Sequence, residues 1–437
     1  MAYRTLAKLF HMDASNERFE KNTELATARL RAESTFRAGV ETAHGELFLA
    51  VPRELSVLNE TILRRDRQIA LALSKLPPIA RGALIRSLVI DEVVCSNELE
   101  GVYSTRRQIN DLLETTSSDS AKLEHKRFRE LAQLYLELSD QEHIFPQTPE
   151  DIRTIYDRIM KGEGLGENSP DGVLFRKGEV NIIGSGGEVI HTGLYPESRI
   201  VSAMTHMLAL ASSEDIPETF SAVISHFLFE YAHPFYDGNG RTGRYLLALY
   251  LSRPLSTLTA LSVSRSIAES RNPYYRAFRE VEDPLNHGEL TPFALVMLEY
   301  VNVAQQRVLS DLEARQGQFE VTRAALDELS RSAELPEKER DTLFMLAQYA
   351  LFGAFPDALL RDVAEYLGLK EPMARRHTKR LEEKDLVRAE GARPLRFVLT
   401  DRAKELLKIP GGAWGWLPRL PTADSHPFVQ AFAPRAN

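Results

Sequence analysis

A chain of 437 residues is too long for one ordinary core, so two or three domains are expected. Its 62 acidic against 54 basic residues give a net charge of -8 and a pI near 5.9, which argues against a broad nucleic-acid-binding surface. A single cysteine, Cys95, excludes an intrachain disulfide; no apolar run is long enough to span a bilayer, and the N-terminus lacks the apolar run of a signal peptide, so a cytoplasmic location is expected.

Up to about residue 316 most of the chain carries helical periodicity, and no internal repeat is evident. Ile85 to Cys95 is apolar-rich, interrupted by Arg86, Asp91 and Glu92, and reads as a largely buried helix on which Cys95 is a structural thiol. Ser96-Asn97-Glu98-Leu99-Glu100-Gly101 follows, with Ser96 and Glu100 one turn apart on one face and Gly101 placed to end the helix. Thr148-Pro149 predicts a helix with a threonine N-cap and proline at its first position, and Pro217 and Pro292 read as similar first positions. Between Val173 and Pro196, β-branched runs flank Gly184, Gly186 and Gly187, which predicts two short strands around a glycine turn. In an ordinary surface hairpin Arg176 and His191 would need no further role. A helix from about Glu218 to Tyr231 then runs straight into His233.

Residues 233 to 244 read His-Pro-Phe-Tyr-Asp-Gly-Asn-Gly-Arg-Thr-Gly-Arg. A helix starting just after such a glycine-rich turn points unpaired N–H groups and the positive end of its dipole at whatever sits there, so the turn suits an anion. Gly238 and Gly240 allow close approach of a diphosphate, and Asn239 tolerates a left-handed backbone. Arg241 and Arg244, three apart, can share a face and reach successive phosphates with forked donors. Asp237 beside a polyphosphate makes sense as a ligand of bridging Mg²⁺, and His233 as the general base for an attacking hydroxyl. The tail repeats the tripeptide at His426-Pro427-Phe428 without the glycines, acid or arginines, and receives no function.

The segment resembles the Fic motif, His-Pro-Phe-x-(Asp/Glu)-Gly-Asn-(Gly/Lys)-Arg-x-x-Arg, at every specified position. The resemblance implies a mainly α fold: a helical core with a β-hairpin flap that transfers AMP from ATP to a tyrosine, threonine or serine hydroxyl of a target protein, releasing pyrophosphate. It makes His233 the general base, Asp237 the Mg²⁺ ligand, and Gly238, Asn239, Gly240, Arg241, Thr242, Gly243 and Arg244 the ATP phosphate site, with Phe235 a core anchor. A phosphate-transferring subfamily has Ala and Lys in place of the two nest glycines, which Gly238 and Gly240 oppose. Ser96, Glu100 and Gly101 resemble the family's inhibitory signature, (Ser/Thr)-x-x-x-Glu-(Gly/Asn), so Glu100 is expected to compete with the γ-phosphate for Arg244. Val180, Asn181, Ile182, Ile183 and Gly184 resemble the flap that aligns the target. Tyr274 and Tyr275 sit where the family often has tyrosines near adenine, Tyr275 being the candidate contact; some relatives add an asparagine seven residues on, where this chain has Glu282.

From about Glu337 the pattern changes. Leu359 to Leu367 reads as one helix, Gly368-Leu369-Lys370 as a turn, Pro372 to Lys384 as a second helix, and Leu386 to Leu399 as a two-stranded wing, which resembles a winged helix-turn-helix. Arg375, Arg376, His377, Lys379 and Arg380 crowd the second helix, flanked by Glu371, Glu382, Glu383 and Asp385. The expected organisation is a helical region over 1–145 carrying the motif at 96–101, a catalytic core over 146–316, the winged helix over 337–409 and a Gly/Pro-rich tail over 410–437 with Trp414 and Trp416. Partners left open are an unidentified target protein, self-modification, a homodimer and DNA at the winged helix; removal of AMP and transcription regulation stand as alternative functions.

Overall fold

The computed structural model describes residues 3–114, 127–139, 143–183, 187–391 and 393–411. They fall into two compact units, one drawn from residues up to 67 and from 91 to 306, the other from 68 to 90 and from 307 onward.

The first unit is organised by the helix Glu218–Ala232. Every residue from Thr219 to Phe229 is buried, because the segment is apolar on all sides and only a central position satisfies such a helix. It packs against the helices Glu197–Ala211 and Asn239–Leu251. Phe227 meets Phe278 at 5.6 Å and Phe293 at 5.2 Å between ring centroids, which fixes the helix in the core. Pro217 occupies its N-cap instead of the first helical position read from the sequence, whereas Thr148 closes a reciprocal capping box with Asp151 ahead of the helix Pro149–Ile159.

A strand pair inside the region read as helical, Thr35–Thr42 with Gly45–Ala50, is antiparallel, running from Thr35 opposite Ala50 to Thr42 opposite Gly45. Phe48 and Leu49 are buried, and the free edge is covered: Phe48 N–H donates to Gly288 O at 3.2 Å and Leu290 N–H to Phe48 O at 2.7 Å. The expected hairpin near the motif is also present, as Asn181–Ile183 against Val189–Thr192. Gly184, its expected fifth target-binding position, lies outside the described residues.

In the second unit the helix Leu360–Leu367 ends at Gly368, whose φ of 64° is left-handed, and the helix Glu371–Glu383 follows. Strand Arg396–Leu399 lies between Val387–Glu390 and a short strand, Ala358–Leu359, that the sequence reading had not separated from the helix. Leu346, Val363, Leu381 and Phe397 form the core beneath them. Trp414, Trp416 and His426-Pro427-Phe428 lie outside the described residues. No helix among the described residues is long and apolar enough to cross a membrane.

Candidate active site

The loop from His233 to Gly238 is held from several directions. The helix Glu218–Ala232 stops because His233 takes a left-handed backbone, φ 49°, and Pro234 brings no N–H to continue the ladder. Phe235 is fully buried and stacks on Tyr156 with ring planes 10° apart. The Asn239 side chain clamps the loop at both ends of one residue, accepting from Phe235 N–H at 2.9 Å and donating to Phe235 O at 2.7 Å. Arg176 reaches underneath: Nε donates to His233 O at 2.8 Å, and Nη2 to Leu194 O at 2.9 Å and Ala232 O at 3.3 Å. A guanidinium can be buried here because backbone carbonyls take up its donors.

His233 opens into a cleft of about 370 Å³ lined also by Asp237, Gly238, Gly240, Glu100, Arg244, Tyr275 and Ile182. Burial, with the nearby His191 and Arg176 charges, pushes the His233 imidazole down to about 4, so it is neutral at physiological pH and can accept a proton. The helix Asn239–Leu251 begins at the cleft, with Gly238 as its N-cap at φ 81°. A Cβ at Gly238 would collide with Met160, and one at Gly240 with the Glu100 carboxylate and Arg244. Glu100 therefore occupies the space over the helix N-terminus that an anion would take.

Glu100 is delivered there by the end of the helix Pro78–Leu99. Gly101 takes φ 69°, its N–H donates to Glu98 O at 3.1 Å, and Val102 N–H donates to Asn97 O at 2.9 Å, the two bonds of a Schellman cap. Glu100 sits at the cap position and its Oε1 accepts from Arg244 Nη2 at 2.8 Å. Arg244 is 2% exposed and also donates to Ser96, through Nε to Oγ at 3.1 Å and Nη2 to the carbonyl at 2.9 Å. Burial lowers its pKa, but Glu100, Tyr274 and Glu230 outweigh burial and hold it above the ordinary arginine range.

Several expected contacts are arranged differently. Asn239 is helical and the left-handed residue is Gly238, since the Asn239 side chain is committed to the loop clamp. Arg241 is buried away from the cleft lining and pairs with Glu163 at 2.6 Å, which Arg127 also meets at 2.7 Å. Thr242 donates to Gly238 O at 2.9 Å within its own helix, and Gly243 is covered by Glu230 and Phe229. Neither reaches the cleft. Tyr274 is buried and bonded to His226 at 2.9 Å, and Tyr275, 44% exposed, is the more open of the two tyrosines lining the cleft. Burial, then the carboxylates of Asp91 and Glu92, push the Cys95 thiol up, as suits a structural thiol.

Sequence reasoning missed Glu230 and undervalued Arg176 and His191. His191 stands opposite Ile182 in the hairpin and ties it down, meeting Glu282 Oε2 and Tyr231 O at 2.9 Å each. The partners of His191 lie 40 and 91 positions away and Arg176 reaches His233 O 57 positions on, so no local pattern could have shown these contacts.

A comparison with known families matches residues 146–251 to the model described as the Fic/DOC family. That span is a Fic/DOC family domain. It contains the hairpin, His233 and the whole of the helix Asn239–Leu251, while Glu100 and Tyr275 come to its cleft from outside it. The chain is 27% identical over 203 residues to a probable protein adenylyltransferase of Aquifex aeolicus, covering 45% of this chain and 56% of that protein. It is 27% identical over 200 residues to a protein adenylyltransferase Fic of Drosophila mojavensis, covering 45% and 36%. It thus spans little more than half the length of one and about a third of the other. Among solved structures, a Fic family protein from Desulfovibrio desulfuricans G20 aligns with a TM-score of 0.49 at 20% identity, covering 80% of this chain and 97% of that one.

Proposed function

We propose that this protein is an adenylyltransferase that moves AMP from ATP to a hydroxyl of a target protein and is held back by Glu100. The observation that carries the reading is the convergence of a neutral His233, Asp237, a helix N-terminus at Gly240 and Arg244 in one cleft.

The target hydroxyl attacks the α-phosphorus while His233 takes its proton; the bond to the bridging β-oxygen breaks and pyrophosphate leaves. Arg244 and the N–H groups at the start of the helix Asn239–Leu251 hold the β and γ phosphates, where charge accumulates. Mg²⁺ would supply further neutralisation of that charge. Asp237, half exposed at the cleft, suits such an ion, which takes one or two carboxylates and shares phosphate oxygens. Val180 to Ile183, with Gly184 beyond them, is the edge along which a target segment would align; Ile182 already lines the cleft.

Glu100 supplies the inhibition, since its carboxylate fills the anion position and takes up the Arg244 fork. Labelled ATP with Mg²⁺ tests the whole reading: Glu100→Gly gains labelling of itself or of added proteins, whereas His233→Ala and chelation of Mg²⁺ abolish it. Equal labelling by wild type and Glu100→Gly would remove the inhibitory role. Following removal of label from a pre-modified target in the same pair separates transfer from hydrolysis.

The helix Glu371–Glu383 does not favour a DNA-reading role for its winged-helix-like unit. Arg375 pairs with Glu382 at 2.8 Å, and the adjoining Lys384 pairs with buried Glu339 at 2.7 Å, so part of its basic charge serves the fold.

A further inference from the structure

Glu230 lies one turn before His233 in the helix Glu218–Ala232 and lines the same cleft as Glu100, Gly240 and Arg244. Its Oε1 is buried and has no hydrogen-bond partner among the described residues, an arrangement that is costly and calls for a reason. The next helix is shaped around it. A Cβ at Gly243 would strike Glu230 Oε1 and press on Phe229, so the glycine in Arg-Thr-Gly-Arg is the notch in which this carboxyl rests.

We propose that Glu230 is a further phosphate-binding residue of this cleft, a carboxylic acid that donates its O–H to a nucleotide phosphate beside Arg244. The inference rests on the nucleotide reading given above.

The groups around it set its protonation. Arg244 and Glu100 face it from the other two elements at the phosphate end, the Tyr274 and Tyr275 hydroxyls from the helix Arg271–Glu282, and His233 and His226 from its own helix. Burial dominates and pushes the Glu230 carboxyl up to about 8; Arg244 opposes this and Glu100 adds to it. His226, pushed down to about 3 chiefly by burial, contributes no positive charge at neutral pH. A polyphosphate replacing Glu100 brings more negative charge to the same place, which favours the protonated form further. An ionised carboxylate there would repel the ligand, whereas the neutral acid supplies a donor three residues before the base and on the same cleft as the cation.

Calorimetric titration of the full-length Glu100→Gly protein with MgATP between pH 7 and 9, in buffers of different ionisation heat, tests this. Binding is expected to draw in a fraction of a proton that grows with pH, and Glu230→Gln, which keeps the shape but cannot titrate, is expected to lose that uptake. Glu230→Leu is expected to bind MgATP about tenfold more weakly at pH 7, the value of one hydrogen bond to a charged group, with thermal melting confirming that it folds. Equal proton uptake in the parent and Glu230→Gln overturns the assignment of Glu230 while leaving the nucleotide reading intact. Failure of the parent to bind MgATP at all overturns both.

Discussion

The two halves of the cleft are held in different ways. The loop and helix from His233 to Arg244 are fixed many times over, by Arg176 on the carbonyls of Ala232 and His233, by the Asn239 clamp, by Phe235 in the core and by Thr242 on Gly238. Glu100 reaches the same cleft from the end of a helix through a side chain 28% exposed, with one ion pair to Arg244. Catalytic groups must be held within fractions of an ångström, so redundancy suits them. A group proposed to act as a control must be able to leave, and the single ion pair of Glu100 is compatible with that.

The contrast can be broken from the rigid side first. His233→Ala is expected to lower AMP transfer by about 10²–10⁴-fold in a labelled-ATP assay, the range of a general base. Glu100→Gly should act in the opposite direction, raising transfer about 10- to 100-fold, because losing the pair with Arg244 removes roughly 1.5–3 kcal/mol of competition. Arg176→Leu leaves buried carbonyls without donors and is expected to lower the unfolding free energy by about 1–3 kcal/mol, read from denaturant melts, with kcat falling together with it.

The pH dependence sharpens the same comparison. His233 has its folded pKa lowered to about 4, so its basic form, and the stability tied to its neutral burial, persist above the unfolded value near 6.5 and are lost as pH falls through 4. The acid limb of kcat/KM for ATP in Glu100→Gly should therefore lie well below pH 6; a limb at 6.5 would mean that the base is not this buried imidazole. Smallest of all, Gly101→Ala places a side chain at φ 69° and should cost about 1 kcal/mol in the cap, giving a rise in transfer of a few-fold at most.

Much of this was legible in the sequence because the relevant residues are neighbours in it. The order of base, acid, glycines and arginines from His233 to Arg244 carries its own geometry, since a glycine N-cap and the helical rise place them. Ser96, Glu100 and Gly101 are likewise one cap motif, legible as such. The strand pair Thr35–Ala50 was not, because its turn around Ala43 and His44 lacks the usual hairpin pairs and its edge is completed by Gly288 and Leu290, far along the chain. Arg241 illustrates the same limit inside the motif: spacing put it on the phosphate face, and Glu163, 78 residues earlier, draws it into the core.

The double hold of Ser96 on Arg244 has a consequence in time. Ser96 Oγ and its carbonyl hold the guanidinium by bonds separate from that to Glu100, so departure of the carboxylate would leave the cation at the position the proposed mechanism gives a phosphate. Under the proposed inhibition, release would involve no rebuilding of the pocket, only the swing of one partly exposed side chain, an event of picoseconds to nanoseconds once its ion pair breaks. If the proposed inhibition holds, the Glu100–Arg244 contact is the one interaction that has to be weakened for the arginine to become available.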